Sequence, residues 1–215
     1  MKITIAGANG SIATLLHPLL IDKGHSVTGL IRNSEQAEDL KKAGVEPVIC
    51  DLEKEDDISD ATGNADVVIF AAGAGPGSGA ARKWTVDRDG ALKLIDAAKQ
   101  NGINRYIMIS AMGLDTPRGN EVFQVYQKAK AEADEALENS GLDYVIVKPG
   151  RLTDEPAVGK IQIGKNLDRG SITRSDVASV ISKLVDSPEI KNVSFDLLEG
   201  DREIDEVISE LSENM

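Results

Sequence analysis

The chain has 215 residues, a length that suits one domain with a well-filled core. Hydrophobic residues make up 41% and charged residues 28%, the balance of a folded globular chain and not of a disordered one. Asp and Glu outnumber Lys and Arg by 36 to 24, a formal charge of −12, which excludes the basic footprint a nucleic-acid partner requires.

Apolar runs alternate with helix-period segments along the chain. Residues 3–6 read as a first strand. Ile12, Leu15, Leu16, Leu19 and Leu20 share one face of a helix over 11–23, which Gly24 stops. A strand at 26–31, a helix at 34–43 and a strand at 46–50 follow. Residues 67–71 are continuously apolar, as in a strand buried on both faces. Next come a helix at 84–101, a strand at 105–110, a helix at 122–139 and a strand at 143–148. The last third carries a short strand at 160–163, a helix at 175–185, a strand at 194–198 and a helix at 205–211. This alternation predicts an α/β fold: a doubly wound, Rossmann-type parallel sheet with helices on both faces, in a single domain over 1–215. Ligands bind such sheets at the carboxyl ends of the strands, at the switch point.

The first strand runs into Gly7-Ala8-Asn9-Gly10-Ser11-Ile12-Ala13, a G-x-x-G-x-x-A turn that opens an amphipathic helix. Gly7 permits the turn, Gly10 lets backbone approach a pyrophosphate on the helix N-terminus, and Ala13 lets the helix pack close. Asn9, Ser11 and Ile12 belong to the same cofactor-binding turn. The competing reading is an ordinary glycine turn, which the strand–helix context argues against. No Walker A pattern occurs.

The second strand ends at Ile31-Arg32-Asn33, where an NAD-selective site carries an acid. Arg32 can instead pair with a 2′-phosphate, so NADP(H) is expected over NAD(H); the alternative is a solvated arginine. Asp51 and Leu52 either border the adenine or begin a solvated acidic run. Ala71, Ala72 and Gly73 are small enough for backbone to line the cofactor. The loop at 74–82 either closes over a substrate or simply connects, and Arg82 and Lys83 read as solvated charge.

Ser110 ends the fifth strand, and Tyr126 and Lys130 lie four apart on the helix after it. A lysine and a cationic nicotinamide near a tyrosine favour its phenolate, which can exchange a proton with a carbonyl or alcohol while hydride moves. The competing reading makes Tyr126 a core residue with its hydroxyl at the rim. Thr173-x-x-Asp176 reads first as a helix cap. His17, His25 and Cys50 are isolated, so no metal site is expected. A lone cysteine forms no internal disulfide and suits a reducing compartment. With no signal-peptide core at the start and no membrane-length apolar run, the expected location is cytoplasmic, with no membrane partner.

Together, residues 6–13, 31–33, 50–52, 70–73, 109–111, Tyr126 with Lys130, 148–151 and 172–178 resemble the short-chain dehydrogenase/reductase superfamily. The resemblance is to its atypical small bacterial members, the NmrA-like or NAD(P)-dependent epimerase/dehydratase proteins, and it runs over nearly the whole chain. It implies an NADP-binding Rossmann fold with Ser110, Tyr126 and Lys130 as the active-site set. It also places Pro149 and Gly150 beside the nicotinamide and puts Asp87 where many members carry an active-site Asn. Extended epimerases have a large C-terminal substrate domain, whereas here only a small substrate-side region, about 150–215, follows Pro149. The expected activity is hydride transfer to or from a small carbonyl, alcohol or quinone-like compound; the alternative is an NADP(H)-binding redox sensor without turnover. A homodimer is admitted but not required, because one core uses all the apolar segments.

Overall fold

Seven parallel strands lie side by side in the computed structural model, which describes residues 1–75 and 77–215. In spatial order they are β3 (Glu46–Ile49), β2 (Ser26–Ile31), β1 (Lys2–Ala6), β4 (Val67–Phe70), β5 (Arg105–Ile109), β6 (Asp143–Pro149) and β10 (Val193–Glu199). The order reverses between β1 and β4, which makes that gap the switch point. Pro76, in the Gly/Ala-rich loop expected to close or to connect, lies outside the described residues.

Two features depart from an all-parallel sheet. β8 (Lys160–Gly164) pairs antiparallel with β10, and β11 (Arg202–Glu203) pairs antiparallel with β8. β7 (Arg151–Thr153) and β9 (Ser171–Thr173) form a separate two-stranded parallel sheet beyond the end of β6.

The strand pattern explains the two layers. Side chains alternate across a strand, so Ile107 and Ile109 of β5 face one side while Tyr106 and Met108 face the other. The first side is covered by α1 (Ser11–Asp22), α7 (Arg174–Val185) and α8 (Ile204–Glu213). The second is covered by α5 (Asp89–Gln100) and α6 (Glu121–Glu138), through Leu94, Ala98, Ala133 and Leu137. This second layer reaches β6 but includes no residue of β10 or β8. The expectation of helices on both faces therefore holds over the middle of the sheet, and one face is left without a helix at the β10 edge.

Smaller elements complete the chain: α2 (Ala37–Lys42), α3 (Ser59–Thr62) and α4 (Ala80–Arg82). The helix expected from Trp84 begins earlier, at Ala80, and passes through a π-helical turn at Lys83–Arg88 before α5. Such a turn inserts one residue into the helical repeat and rotates the side chains that follow. No helix of the described residues is long and apolar enough to cross a membrane.

Candidate active site

The turn after β1 forms a cradle. Gly7 has φ +82°, and a Cβ there would stand 2.5 Å from Ala72 Cα, so only glycine fits against the end of β4. Gly10 donates its N–H to Gly7 O at 2.9 Å and takes the N-cap position of α1 in an extended conformation. It offers no side chain to the helix, so the first N–H groups of α1 point outward uncapped. Asn9 and Ser11 are exposed there, while Ile12 is partly buried against the core. Uncapped donors and a positive helix end beside bare backbone fit a pyrophosphate.

The neighbouring residues complete the cradle. Arg32, at the end of β2, is exposed and has no carboxylate within ion-pair distance among the described residues. Ala71 and Ala72 are half-buried and Gly73 is exposed, which leaves backbone at the surface. Asp51 is occupied locally: it accepts from Glu53 N–H at 3.1 Å and pairs with Lys54 at 3.1 Å. Leu52 turns inward, with Gly90 packed close beside it.

Beyond β4 the site becomes acid–base in character. The π-helical turn buries Asp87, 1% exposed, with Oδ2 accepting the Ala74 N–H at 3.2 Å. Lys130 Nζ lies 3.9 Å from Asp87 Oδ1 and donates to Ile109 O at 3.1 Å. Burial raises the Asp87 carboxyl, and the Lys130 charge opposes this most strongly. Burial likewise lowers the Lys130 ammonium, with Asp87 and Asp134 opposing.

Tyr126 stands a turn before Lys130, stacked on Phe123 at 5.7 Å, and its hydroxyl bonds to none of the described residues. Burial raises its pKa, and the Asp87 and Asp134 charges add to the rise. In the protein alone, then, Lys130 serves Asp87 and the Ile109 carbonyl, and Tyr126 is held as the neutral phenol. Lys83, expected in solvent, donates to Gly75 O at 2.9 Å and lies 5.5 Å above the Tyr126 ring. Arg82 pairs with Glu53 at 2.7 Å and so ties the end of the loop to the segment after β3.

Ser110 Oγ is buried beside the Asp134 carboxylate. Asp134 was missed by sequence reasoning: it follows Lys130 by four residues, is 4% exposed, and faces Lys148 Nζ at 3.2 Å. The signal was the repeat Tyr126, Lys130, Asp134 at one-turn spacing, an acid amid Ala129, Ala133 and Leu137. Pro149 is buried at the end of β6, and its carbonyl accepts the Met112 N–H at 3.2 Å. Gly150 lies where a Cβ would come within 2.6 Å of Gly170 O.

Tyr126, Lys148, Pro149 and Gly150 line a cleft of about 1510 Å³. It begins at Met112, Tyr126 and Pro149 and runs along the helix-free face of β6 and β10. Ser194 and Asp196 line it, alternating with Phe195 and Leu197, which belong to the core on the opposite side of β10.

Residues 7–188 match the family model described as NAD(P)H-binding. The chain belongs to the NAD(P)H-binding family. Within it, the chain is 41% identical over 214 residues to a Bacillus subtilis protein named as an uncharacterized sugar epimerase, covering 98% of this chain and all of that one. A solved Bacillus halodurans structure, named as an NAD-dependent epimerase/dehydratase, superposes with a TM-score of 0.92 at 39% identity over 98% of this chain and 99% of that one. An anaerobilin reductase of Escherichia coli O157:H7 gives a TM-score of 0.79 at 26% identity over 94% of this chain and 98% of that one. The resemblance to atypical short-chain dehydrogenases/reductases stands on this membership, and so does the Rossmann-type fold.

Proposed function

We propose that the protein is an NADP(H)-dependent reductase in which Tyr126 is the proton donor. The observation that carries this reading is the Tyr126 hydroxyl: unbonded among the described residues, held as the phenol, and lining the cleft. When bound, the dinucleotide supplies hydride to a carbonyl or quinone-like carbon. Tyr126 gives its proton to the substrate oxygen, so hydride and proton together make the alcohol from a carbonyl or the hydroquinone from a quinone. Ser110 Oγ, buried beside Asp134 at the end of β5, turns its hydrogen bond to the same oxygen in this reading. Tyr126 regains its proton from water in the cleft.

Arg32 selects NADP(H) in this reading by pairing with the 2′-phosphate. Pro149 and Gly150 flank the nicotinamide end, and the region after Gly150 forms the substrate side.

The test joins two variants. Arg32→Ala should weaken NADPH binding by calorimetry at least about tenfold and leave NADH binding unchanged. Tyr126→Phe should retain NADPH affinity and lose at least about 100-fold in NADPH oxidation with a quinone acceptor. Full turnover by Tyr126→Phe removes it as the donor. NADPH binding with no turnover of any acceptor by the wild type favours the redox-sensor reading.

A further inference from the structure

Of the nine arginines of this acidic chain, four have a carboxylate partner. Arg82, Arg88, Arg174 and Arg202 each pair within 2.6–2.8 Å. Arg105 is buried and gives its guanidinium to backbone carbonyls, among them Leu184 O at 2.7 Å and Ile190 O at 3.0 Å. Four arginines have no ion pair among the described residues: Arg32 at the cradle, and Arg118, Arg151 and Arg169, all on the cleft wall. Lys165 stands beside them, also unpaired. With 36 acids against 24 bases, cations left bare by chance should not gather in one cleft.

These cations come from three segments: the loop after β5, strand β7, and the loop between β8 and β9. The last is fixed in place, since Asp196 accepts the Leu167 N–H at 3.0 Å and Gly170 O accepts the Arg151 N–H at 3.0 Å. Four carboxylates share the cleft wall: Asp196 is engaged in that contact, Glu138 closes α6 at the far end, and Asp115 and Asp168 stand against twice as many unpaired cations. The cofactor phosphates have no use for this cluster. Their cradle is on β1, three strands from β6, or about 14 Å away.

The rest of the wall is unusual for this composition. The chain has only three Tyr, three Phe and one Trp, yet Phe123, Tyr126 and Tyr144 all line the cleft. Its volume, about 1510 Å³, exceeds the roughly 300–1,000 Å³ of ordinary small-ligand pockets. Aromatic faces select flat conjugated surface, and guanidinium groups select carboxylate.

We infer that the cleft binds a conjugated substrate carrying at least two carboxylates. This rests on the reductase reading only for the word substrate; the binding itself stands on the cleft. Naphthalene-2,6-dicarboxylate is the probe, with its dimethyl ester as the uncharged match. Titrations followed by naphthalene fluorescence would use wild type and the double variant Arg151→Gln/Arg169→Gln, with and without saturating NADPH. The diacid should bind wild type about tenfold tighter than the ester and about tenfold tighter than it binds the double variant. Its affinity should fall as salt rises from about 50 to about 300 mM. Equal affinity for diacid and ester, no diacid binding, or an unchanged double variant overturns the inference. NADPH affinity, measured in the same samples, judges the cofactor reading separately: its loss in wild type removes that reading and leaves the probe result to decide the cleft. An unchanged melting temperature and NADPH affinity in the double variant exclude misfolding.

Discussion

Lys130 Nζ lies 3.9 Å from the Asp87 carboxylate, and the two side chains are 3% and 1% exposed. They come from α6 and the π-helical turn, so one buried ion pair joins two separate elements of the site. Removing one partner leaves the other charge uncompensated. Asp87→Leu or Lys130→Met should each lower the unfolding free energy by about 3–5 kcal/mol, while the double replacement should recover much of that loss. Urea denaturation of the four proteins checks this; additive losses would show that the two groups do not act as a pair.

Gly7 is required by backbone geometry before any ligand is considered. Its φ of +82° and the 2.5 Å approach to Ala72 mean that Gly7→Ala should cost about 2–4 kcal/mol. Gly10 is different: its φ of −74° suits any residue, and a Cβ there would lie 3.1 Å from Gly7 O. Gly10→Ala should therefore cost under about 1 kcal/mol. Thermal unfolding distinguishes the two, and equal losses would mean that the turn relaxes around a side chain at position 7.

His17 sets an acid limb. It is 1% exposed, its Nε2 has no partner, and burial lowers its pKa from 6.5 to about 4. The unfolded chain takes up this proton first. The stabilisation from a neutral His17 is thus complete above about pH 6.5 and is lost as pH falls through 4, up to about 3 kcal/mol. Urea midpoints near pH 7 and pH 4.5 should differ less for His17→Leu than for wild type. Equal losses in both would remove His17 as the cause.

Asp176 was expected to take part in a helix cap, and its N–H does bond to Thr173 Oγ1 at 2.9 Å. Its carboxylate does more, accepting Val158 N–H at 3.0 Å, Gly159 N–H at 2.9 Å and the Thr173 hydroxyl at 2.8 Å. It therefore clamps the approach to β8 onto the start of α7. Asp176→Ala should cost about 2–4 kcal/mol and should open amide exchange at Val158 and Gly159 before the rest of the sheet. Exchange at those two amides unchanged from wild type would refute the clamp.

The parallel strands and long helices were legible because each carried its own local pattern. The continuous apolar run at Val67–Phe70 and the glycine turn after β1 are signals contained in a few neighbouring residues. What was hidden depends on partners distant in sequence. β7, β9 and β11 are two or three residues long, too short to show any alternation. The antiparallel course of β8 is set by its pairing with β10, about 30 residues later. The π-helical turn has no composition of its own, and its effect appears only in the burial of Asp87. In the site, the four-residue spacing of Tyr126 and Lys130 was visible, but not that Lys130 would turn to Asp87. The Asp134 position was written in the same spacing and passed over, because an acid on a helix reads as solvated until the helix is placed.

The pairing of β8 with β10 also orders the way the chain can assemble. β8 is made before β10, yet the strands it pairs with among the described residues are β10 and β11, both later in sequence. Until β10 has added to β6, the segment around β8 has no sheet to join, and the loop that carries Lys165 and Arg169 has no Asp196 to hold it. The wall of the cleft is therefore finished by the last strands to arrive. A chain shortened just before β10 would keep the cradle's sequence and lose the far wall of the cleft along with the strand, so the carboxyl-terminal segment governs the shape of a groove built largely from residues that precede it.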